Sequence, residues 1–340
     1  MKRVAVIPSY EPDEYLGLTV GKILENGMEA VVIDDGSGPE YASFFDALPP
    51  QVHKISYETN QGKGYALKQG FSYIAQLFGE DCVVVTVDSD GQHGIKDVVR
   101  VLEEAEKAPG SLVLGSRYLG KSAPFRSRLG NGITRWLCRL ATCNPVYDTQ
   151  TGLRGITGDL LEGFCRIPSN RYEYEIRSLL ECAGSRIPIR EIRIQTIYLD
   201  ENSRSHFRPI RDSLRLYRQI FKYAVPAIAG FLAEMLLFWG LLLCTAALPP
   251  VAGLVLANVA AEGLRLCIPG LFRKNVFKKK ASAGSAFAEL LLVGISTLLI
   301  CLLVSFLSLN PLAAKLILLA AFFLLRYCIS AVVAKISKNS

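Results

Sequence analysis

Four apolar stretches fill the C-terminal third of this 340-residue chain, at roughly 223–247, 251–271, 286–309 and 311–334. Each is close to the ~20 residues that an α-helix needs to cross the hydrocarbon of a bilayer. Lipid satisfies no backbone polar group, so such segments fold as helices. The connections between them alternate in charge. Leu248-Pro249-Pro250 and Asn310-Pro311 carry no cation, whereas the middle loop holds Arg273, Lys274 and Lys278-Lys279-Lys280, and the tail holds Lys335 and Lys338. Basic loops stay cytoplasmic, so the sequence predicts two transmembrane hairpins with the N-terminal half, the middle loop and the C-terminus in the cytosol.

Just before the first stretch, Arg208, Arg211, Arg215, Arg218 and Lys222 recur at helical spacing among Leu214, Leu216, Ile220 and Phe221. This reads as a basic amphipathic helix over 208–222 on a membrane surface, with a solvated helix face as the alternative. Glu234, Asn258, Glu262, Arg265, Glu289, Lys315 and Arg326 lie inside the spans. Ionisable groups at that depth face a bundle interior or a polar path; the long cationic chains have the alternative of reaching the interface. The three glutamates and Asn258 are expected to cluster with a cation.

The formal charge of +7 is unevenly spread: residues 204–340 hold 16 Lys+Arg against 4 Asp+Glu, leaving −5 on residues 1–203. A basic and strongly apolar C-terminal part points to membrane rather than nucleic acid. Nine cysteines form no CxxC pair, which argues against zinc or disulfides and for a reducing compartment. The apolar run Val4–Ile7 is too short for a signal peptide and starts a strand, so the first domain is expected to remain cytosolic.

Residues 1–207 read as an α/β domain. Strands are expected at Val4–Ile7, Ala30–Ile33, Val83–Val87, Leu112–Tyr118 and Ile187–Tyr198, and helices at Glu14–Asn26, Tyr65–Phe78, Asn131–Ala141 and from Tyr172 to Ala183. Asp13 is placed to cap the first helix and Gly27 to stop it. Asp148 to Gly155 reads as a polar loop. Two strands end in acids, Asp34-Asp35-Gly36-Ser37 and Asp88-Ser89-Asp90-Gly91-Gln92-His93, at the strand ends where open α/β sheets bind ligands. With Asp88 and Asp90 pointing to one side of an extended backbone, two carboxylates and the Gln92 amide oxygen suit Mg²⁺ or Mn²⁺ held jointly with phosphates. A plain Asp/Gly turn is the alternative. His93 and His53 read as structural and surface residues, and Glu173 and Glu175 as arginine-orienting or helix-capping.

Six motifs in order, Ile7-Pro8-Ser9-Tyr10, Ile33 to Ser37, Asn60-Gln61-Gly62-Lys63-Gly64, Asp88 to His93, Gly115-Ser116-Arg117-Tyr118 and Asp148 to Arg154, resemble the polyprenyl-phosphate glycosyltransferases. These are the dolichyl-phosphate mannose synthase group of the inverting family with a Rossmann-like GT-A fold. Residues 223–334 resemble GtrA-type membrane domains. The resemblance implies an α/β GT-A domain (1–207), an interfacial helix (208–222), an all-α four-helix transmembrane domain (223–334) and a short tail (335–340). It implies that Pro8, Tyr10, Ile33, Asp35, Asp88, Ser89, Asp90, Arg117 and Arg204 meet the nucleotide sugar. Arg117, Arg126 and Arg128 would meet the acceptor phosphate, and Asp88, Asp90 and Gln92 would hold Mg²⁺ or Mn²⁺. Asp88, Asp90, Arg117 and Arg128 would carry catalysis.

The implied reaction moves a sugar from a nucleotide to polyprenyl phosphate at a bacterial or archaeal membrane, with a homo-oligomer allowed. The pattern departs in two places. Glu11-Pro12 replaces the usual Asn-Glu, and Thr196 stands where a diphosphate-binding arginine is usual. Both favour UDP-glucose over GDP-mannose as donor. The rivals are a translocator or scaffold with a non-catalytic cytosolic domain, and a processive polysaccharide synthase, which Thr134-Arg135-Trp136 matches poorly for want of a glutamine.

Overall fold

The computed structural model describes residues 1–117, 146–185, 187–195, 209–272, 276–277, 283–322 and 324–325. The chain forms two compact units, divided between Ile220 and Phe221.

The first unit is built on a seven-stranded sheet of order β3-β2-β1-β4-β6-β5-β7. The strands are β1 Lys2–Ser9, β2 Glu29–Asp34, β3 His53–Ser56, β4 Cys82–Thr86, β5 Leu112–Arg117, β6 Arg154–Thr157 and β7 Ile189–Ile194. Helices α1 (Glu14–Glu25), α2 (Ala42–Asp46), α3 (Lys63–Phe78), α4 (Ile95–Lys107), α5 (Gly158–Cys165) and α6 (Glu173–Gly184) connect or flank them. The near-continuous apolar β1 and β4 are buried, as strands covered on both faces must be. Asp13 accepts from Tyr15 N at 2.9 Å to start α1, and Gly27 leaves it at φ +71°.

Two features of this sheet place the site. The chain winds outward from β1 through β2 to β3 and then returns to the other side of β1 as β4. That reversal opens a crevice at the carboxyl ends of β1 and β4. The second feature is β6, which runs antiparallel between β4 and β5 while the other pairings are parallel. Because β6 is reversed, the segment entering it arrives at the edge where β4 and β5 leave. The expected polar loop at 148–155 is therefore a buried strand with its lead-in: Asp148, Thr149 and Thr151 are 0–1 % exposed.

The second unit contains most of α7 (Pro209–Cys244), α8 (Pro250–Phe272), α9 (Ala283–Leu307) and the shorter apolar helix α10 (Pro311–Phe322). The expected amphipathic segment over 208–222 and the start of the first apolar stretch belong to one helix, α7, of 36 residues. Segments Pro250–Cys267 and Leu290–Leu307 are long and apolar enough to cross a membrane. Phe238, Leu254, Ala257, Ala261, Ile300 and Ala314 pack at the centre of this unit.

A charge cluster lies in the same interior. Lys315 Nζ on α10 is 2.6 Å from Glu234 Oε1 on α7, 3.0 Å from Glu262 Oε1 on α8, and donates to Asn258 Oδ1 at 2.8 Å. Arg265 reaches Glu234 at 3.2 Å and Glu262 at 2.6 Å. Asn258 donates to Thr297 of α9 at 2.9 Å. Lys315 is 1 % exposed and so does not reach toward an interface. The side chains of Glu289 and Arg326 lie outside the described residues.

Candidate active site

β4 ends at Thr86, two residues before Asp88, so Asp88 and Asp90 converge through a turn rather than along an extended strand. Ser89 and Asp90 form that turn, and Asp90 Oδ1 accepts from Gln92 N at 3.0 Å. Gly91, at φ +74°, lies against Tyr15 so closely that a Cβ would sit 2.7 Å from its ring. Only glycine fits there. The loop is thus wedged between α1 and the sheet edge.

Both oxygens of Asp88 are engaged. Oδ1 is 2.6 Å from Lys63 Nζ, and Oδ2 is 3.3 Å from His93 Nε2. Lys63 also pairs with Glu175 Oε1 at 2.5 Å. Burial opposes the Asp88 charge, yet Lys63 and His93 outweigh it and hold this carboxyl far below the usual range. Asp90 is displaced the other way, raised by burial and then by the negative charge of Asp88. The structure thus gives His93 the supporting role expected of it. Glu175 lies in the first turn of α6 and holds Lys63.

The lead-in to β6 closes the other side. Thr86 Oγ1 donates to Gly152 O at 2.5 Å and draws the loop onto β4. An added Cβ on Gly152 would lie 2.2 Å from Asp88 Oδ2. Arg117, at the end of β5, donates through Nε to Asp148 Oδ2 at 2.8 Å. Burial opposes its charge, but Asp148 and the more distant Asp88 and Glu175 raise its pKa above the usual value. Behind them the buried Arg154 donates to Thr151 O, Glu175 O and Ser178 Oγ.

Ile33 and Pro8 are buried, and the Ile33 side chain packs on Gly70 of α3, so it belongs to the core. Asp35 is also buried. It accepts from Tyr57 Oη at 2.7 Å, Asn60 Nδ2 at 3.1 Å, and Gln61 N and Gly62 N at 2.9 Å each. It therefore pins the Asn60–Gly62 loop, and through it the start of α3, to the sheet. Tyr10 is half-buried at the mouth of β1, with its hydroxyl pKa raised by a hydrogen bond to Glu11. Glu11 adopts φ +50°, a conformation that the asparagine of the resembled pattern tolerates better.

Arg126, Arg128, Thr196, Arg204 and His206 lie outside the described residues, as does the expected helix 131–141. Lys63 and Asp148 were the omissions of sequence reasoning: each stands inside a motif already quoted, but without a role.

The negative charge of Asp88 adds to burial in raising the Asp90 pKa, a repulsion that a hard cation relieves. Among the described residues no group of three His, Cys, Asp or Glu side chains could hold a metal unaided. The Asp88 and Asp90 carboxylates are the kind of donors that hold a Mg²⁺- or Mn²⁺-type ion sharing its remaining positions with phosphate oxygens.

Residues 4–159 match the family model for Glycosyl transferase family 2. The match runs from β1 into α5 of the mixed-sheet unit, and the protein is an enzyme that transfers glycosyl groups. Among curated relatives, the chain is 26 % identical over 216 residues to a UDP-N-acetylglucosamine–dolichyl-phosphate N-acetylglucosaminyltransferase of Methanococcus voltae, covering 57 % of this chain and 85 % of that one. It is 28 % identical over 175 residues to the polyprenol monophosphomannose synthase of Mycolicibacterium smegmatis, covering 47 % and 63 %. With the undecaprenyl-phosphate mannosyltransferase of Micrococcus luteus it shares 34 % identity over 122 residues, covering 34 % and 49 %. A crystal structure of a mycobacterial protein aligns at 20 % identity and TM-score 0.47, covering 66 % of this chain and 74 % of that one.

Proposed function

We propose that the protein is an integral membrane glycosyltransferase that moves a sugar from a nucleoside diphosphate to polyprenyl phosphate, inverting the anomeric carbon. The observation that carries this reading is the meeting of the Asp88/Asp90 turn with the Lys63 and Arg117 cations at one sheet edge. Such an edge accepts two phosphorylated substrates that would otherwise repel one another. The named relatives, which act on dolichyl, polyprenol and undecaprenyl phosphates, support the acceptor class.

In this reaction an acceptor phosphate oxygen attacks C1 of the sugar. The bond from C1 to the diphosphate oxygen breaks, and the nucleoside diphosphate leaves with the bonding electrons. The acceptor is anionic near neutral pH, so no side chain has to remove a proton. Asp88, Asp90 and Gln92 would hold a Mg²⁺ or Mn²⁺ ion, which would supply Lewis-acid neutralisation of the leaving diphosphate. Arg117 contributes a fixed positive charge, and Arg126, Arg128 and Arg204 are proposed to add theirs. A charge pair 4 Å apart is worth ~4 kcal/mol at an effective dielectric of ~20, enough to make one arginine matter several hundredfold. The Glu11-Pro12 departure favours a UDP-sugar, UDP-glucose ahead of GDP-mannose.

Membrane insertion is supported by what the second unit leaves uncovered. Leu290–Leu307 has a mean hydropathy of 2.8 and only 11 % of it is buried, with Leu290, Leu298 and Phe306 more than 60 % exposed. Apolar surface of that extent in water costs ~25 cal/mol per Å²; lipid removes the cost. Four spans over 223–334, with cytoplasmic termini and a cytoplasmic catalytic unit, complete the reading.

The test uses membranes carrying the protein, Mn²⁺ or Mg²⁺, undecaprenyl phosphate and a panel of radiolabelled UDP- and GDP-sugars. Label from one donor should enter the organic phase and should vanish with Asp90→Ala. Folded protein that transfers no label from any donor would refute the proposal.

A further inference from the structure

Lys63 is the one cation in direct contact with the Asp88 carboxylate among the described Lys and Arg residues, and its place is fixed from several sides. It is the first residue of α3. Gly62 before it turns at φ +101° and donates to Asp35, and Gly64 after it meets Tyr174 of α6 so tightly that a Cβ would lie 2.4 Å from the Tyr174 Cβ. The same helix α6 carries Glu175. Backbone movement therefore cannot take Lys63 away from Asp88; only rotation of its own side chain can.

We infer that Lys63 is an internal competitor for the divalent cation: its ammonium holds Asp88 Oδ1 and yields it only when metal arrives together with a nucleotide diphosphate. This rests on the reading of Asp88 and Asp90 as metal ligands. Oδ1 is taken by an ammonium at 2.6 Å, and Oδ2 is bounded by His93 and by the Gly152 backbone. A metal ion arriving alone must displace a full positive charge and gains few protein oxygens in return. One arriving with a diphosphate brings phosphate oxygens that complete its shell, and these offset the displacement. Glu175 makes the exchange reversible. It sits 2.5 Å from Lys63, so the released ammonium stays paired and is not left as an isolated buried charge. The consequence is ordered binding, with metal and donor entering as a unit.

The experiment follows Mn²⁺ binding to the full chain in detergent micelles by the loss of the free-ion electron paramagnetic resonance signal, with and without UDP or GDP. Wild type should bind Mn²⁺ at least tenfold more tightly with its nucleotide than without. Lys63→Met should bind Mn²⁺ alone at least tenfold more tightly than wild type. Lys68→Met, which removes the same charge further along α3 without touching Asp88, should leave that affinity unchanged. Lys63→Gln, which keeps a hydrogen-bond donor, gives the same readout should the methionine variant fail to fold. Unchanged Mn²⁺ affinity in the folded Lys63 variants would overturn the inference, and so would equal tightening in Lys68→Met. Wild type that binds no Mn²⁺ with either nucleotide would instead overturn the metal reading beneath it.

Discussion

Replacing Lys315 by leucine tests whether the interior of the helical unit is organised by charge. Lys315 lies within 3.0 Å of both Glu234 and Glu262 and is 1 % exposed, while Arg265 is the other cation in the cluster. Among the described residues the four groups sum to zero charge; without Lys315 a net negative charge is left on these buried side chains. Removing one member of a buried ion pair costs ~3–5 kcal/mol, because the partner keeps its desolvation penalty and loses its compensation. Lys315→Leu should therefore lower stability by about that amount. Lys315→Leu with Glu234→Gln restores neutrality and keeps the Arg265–Glu262 pair at 2.6 Å. It should recover roughly half the loss, so that the double variant costs well under the sum of the two single variants. Equilibrium unfolding in mixed micelles by titration with sodium dodecyl sulfate, read by tryptophan fluorescence, measures all four corners of the cycle. A loss below ~1 kcal/mol in the single variant, or strict additivity in the double, would refute the reasoning.

Other consequences can be checked on the first unit. Gly152→Ala places a methyl group 2.2 Å from Asp88 Oδ2, so the carboxylate must move; a misplacement near 1 Å should reduce label transfer about 100-fold with an unchanged circular dichroism spectrum. Asp90→Asn should abolish transfer yet raise the melting temperature at pH 7. The folded pKa of Asp90 is raised by burial and by Asp88, so its ionisation opposes folding as pH rises, and the gain should fade in acid where both forms are neutral. Glu11→Asn relieves a left-handed residue at φ +50° and should stabilise the protein by ~0.5–1 kcal/mol in thermal unfolding. Asp35→Ala strands the Gln61 and Gly62 N–H groups and should cost ~2–4 kcal/mol in chemical denaturation.

The parts of this fold that sequence pattern reveals are those with one dominant physical signal. Val4–Ile7, Ala30–Ile33 and Val83–Val87 are apolar runs, the last two ending in acids, and they are adjoining strands of the sheet interior. β6 escaped because its signal is inverted. Asp148, Thr149, Thr151 and Arg154 look like a solvated loop, yet they are buried, with Thr151 Oγ1 donating to Gly115 O and Asp148 accepting from Arg117. Burial of a polar group requires a partner, and composition does not name partners that lie elsewhere in the chain. β3, only His53–Ser56, is a four-residue strand at the sheet edge with a partly exposed pattern and no apolar run to announce it. Lys63 and Glu175 are separated by 112 positions, so their pairing with Asp88 exists only once α3 and α6 pack. The charge cluster was foreseeable as a group, because buried glutamates in an apolar unit demand cations; that Lys315 would be the central one required the packing of α10.

Phosphorus magnetic resonance of a single reaction reads whether a sugar alone passes to the lipid monophosphate. With the purified protein, its donor and undecaprenyl phosphate, nucleoside diphosphate should accumulate while the lipid monophosphate resonance is replaced by one phosphodiester resonance. Release of nucleoside monophosphate with a lipid diphosphate signal, or donor hydrolysis that leaves the lipid resonance unchanged, would contradict it.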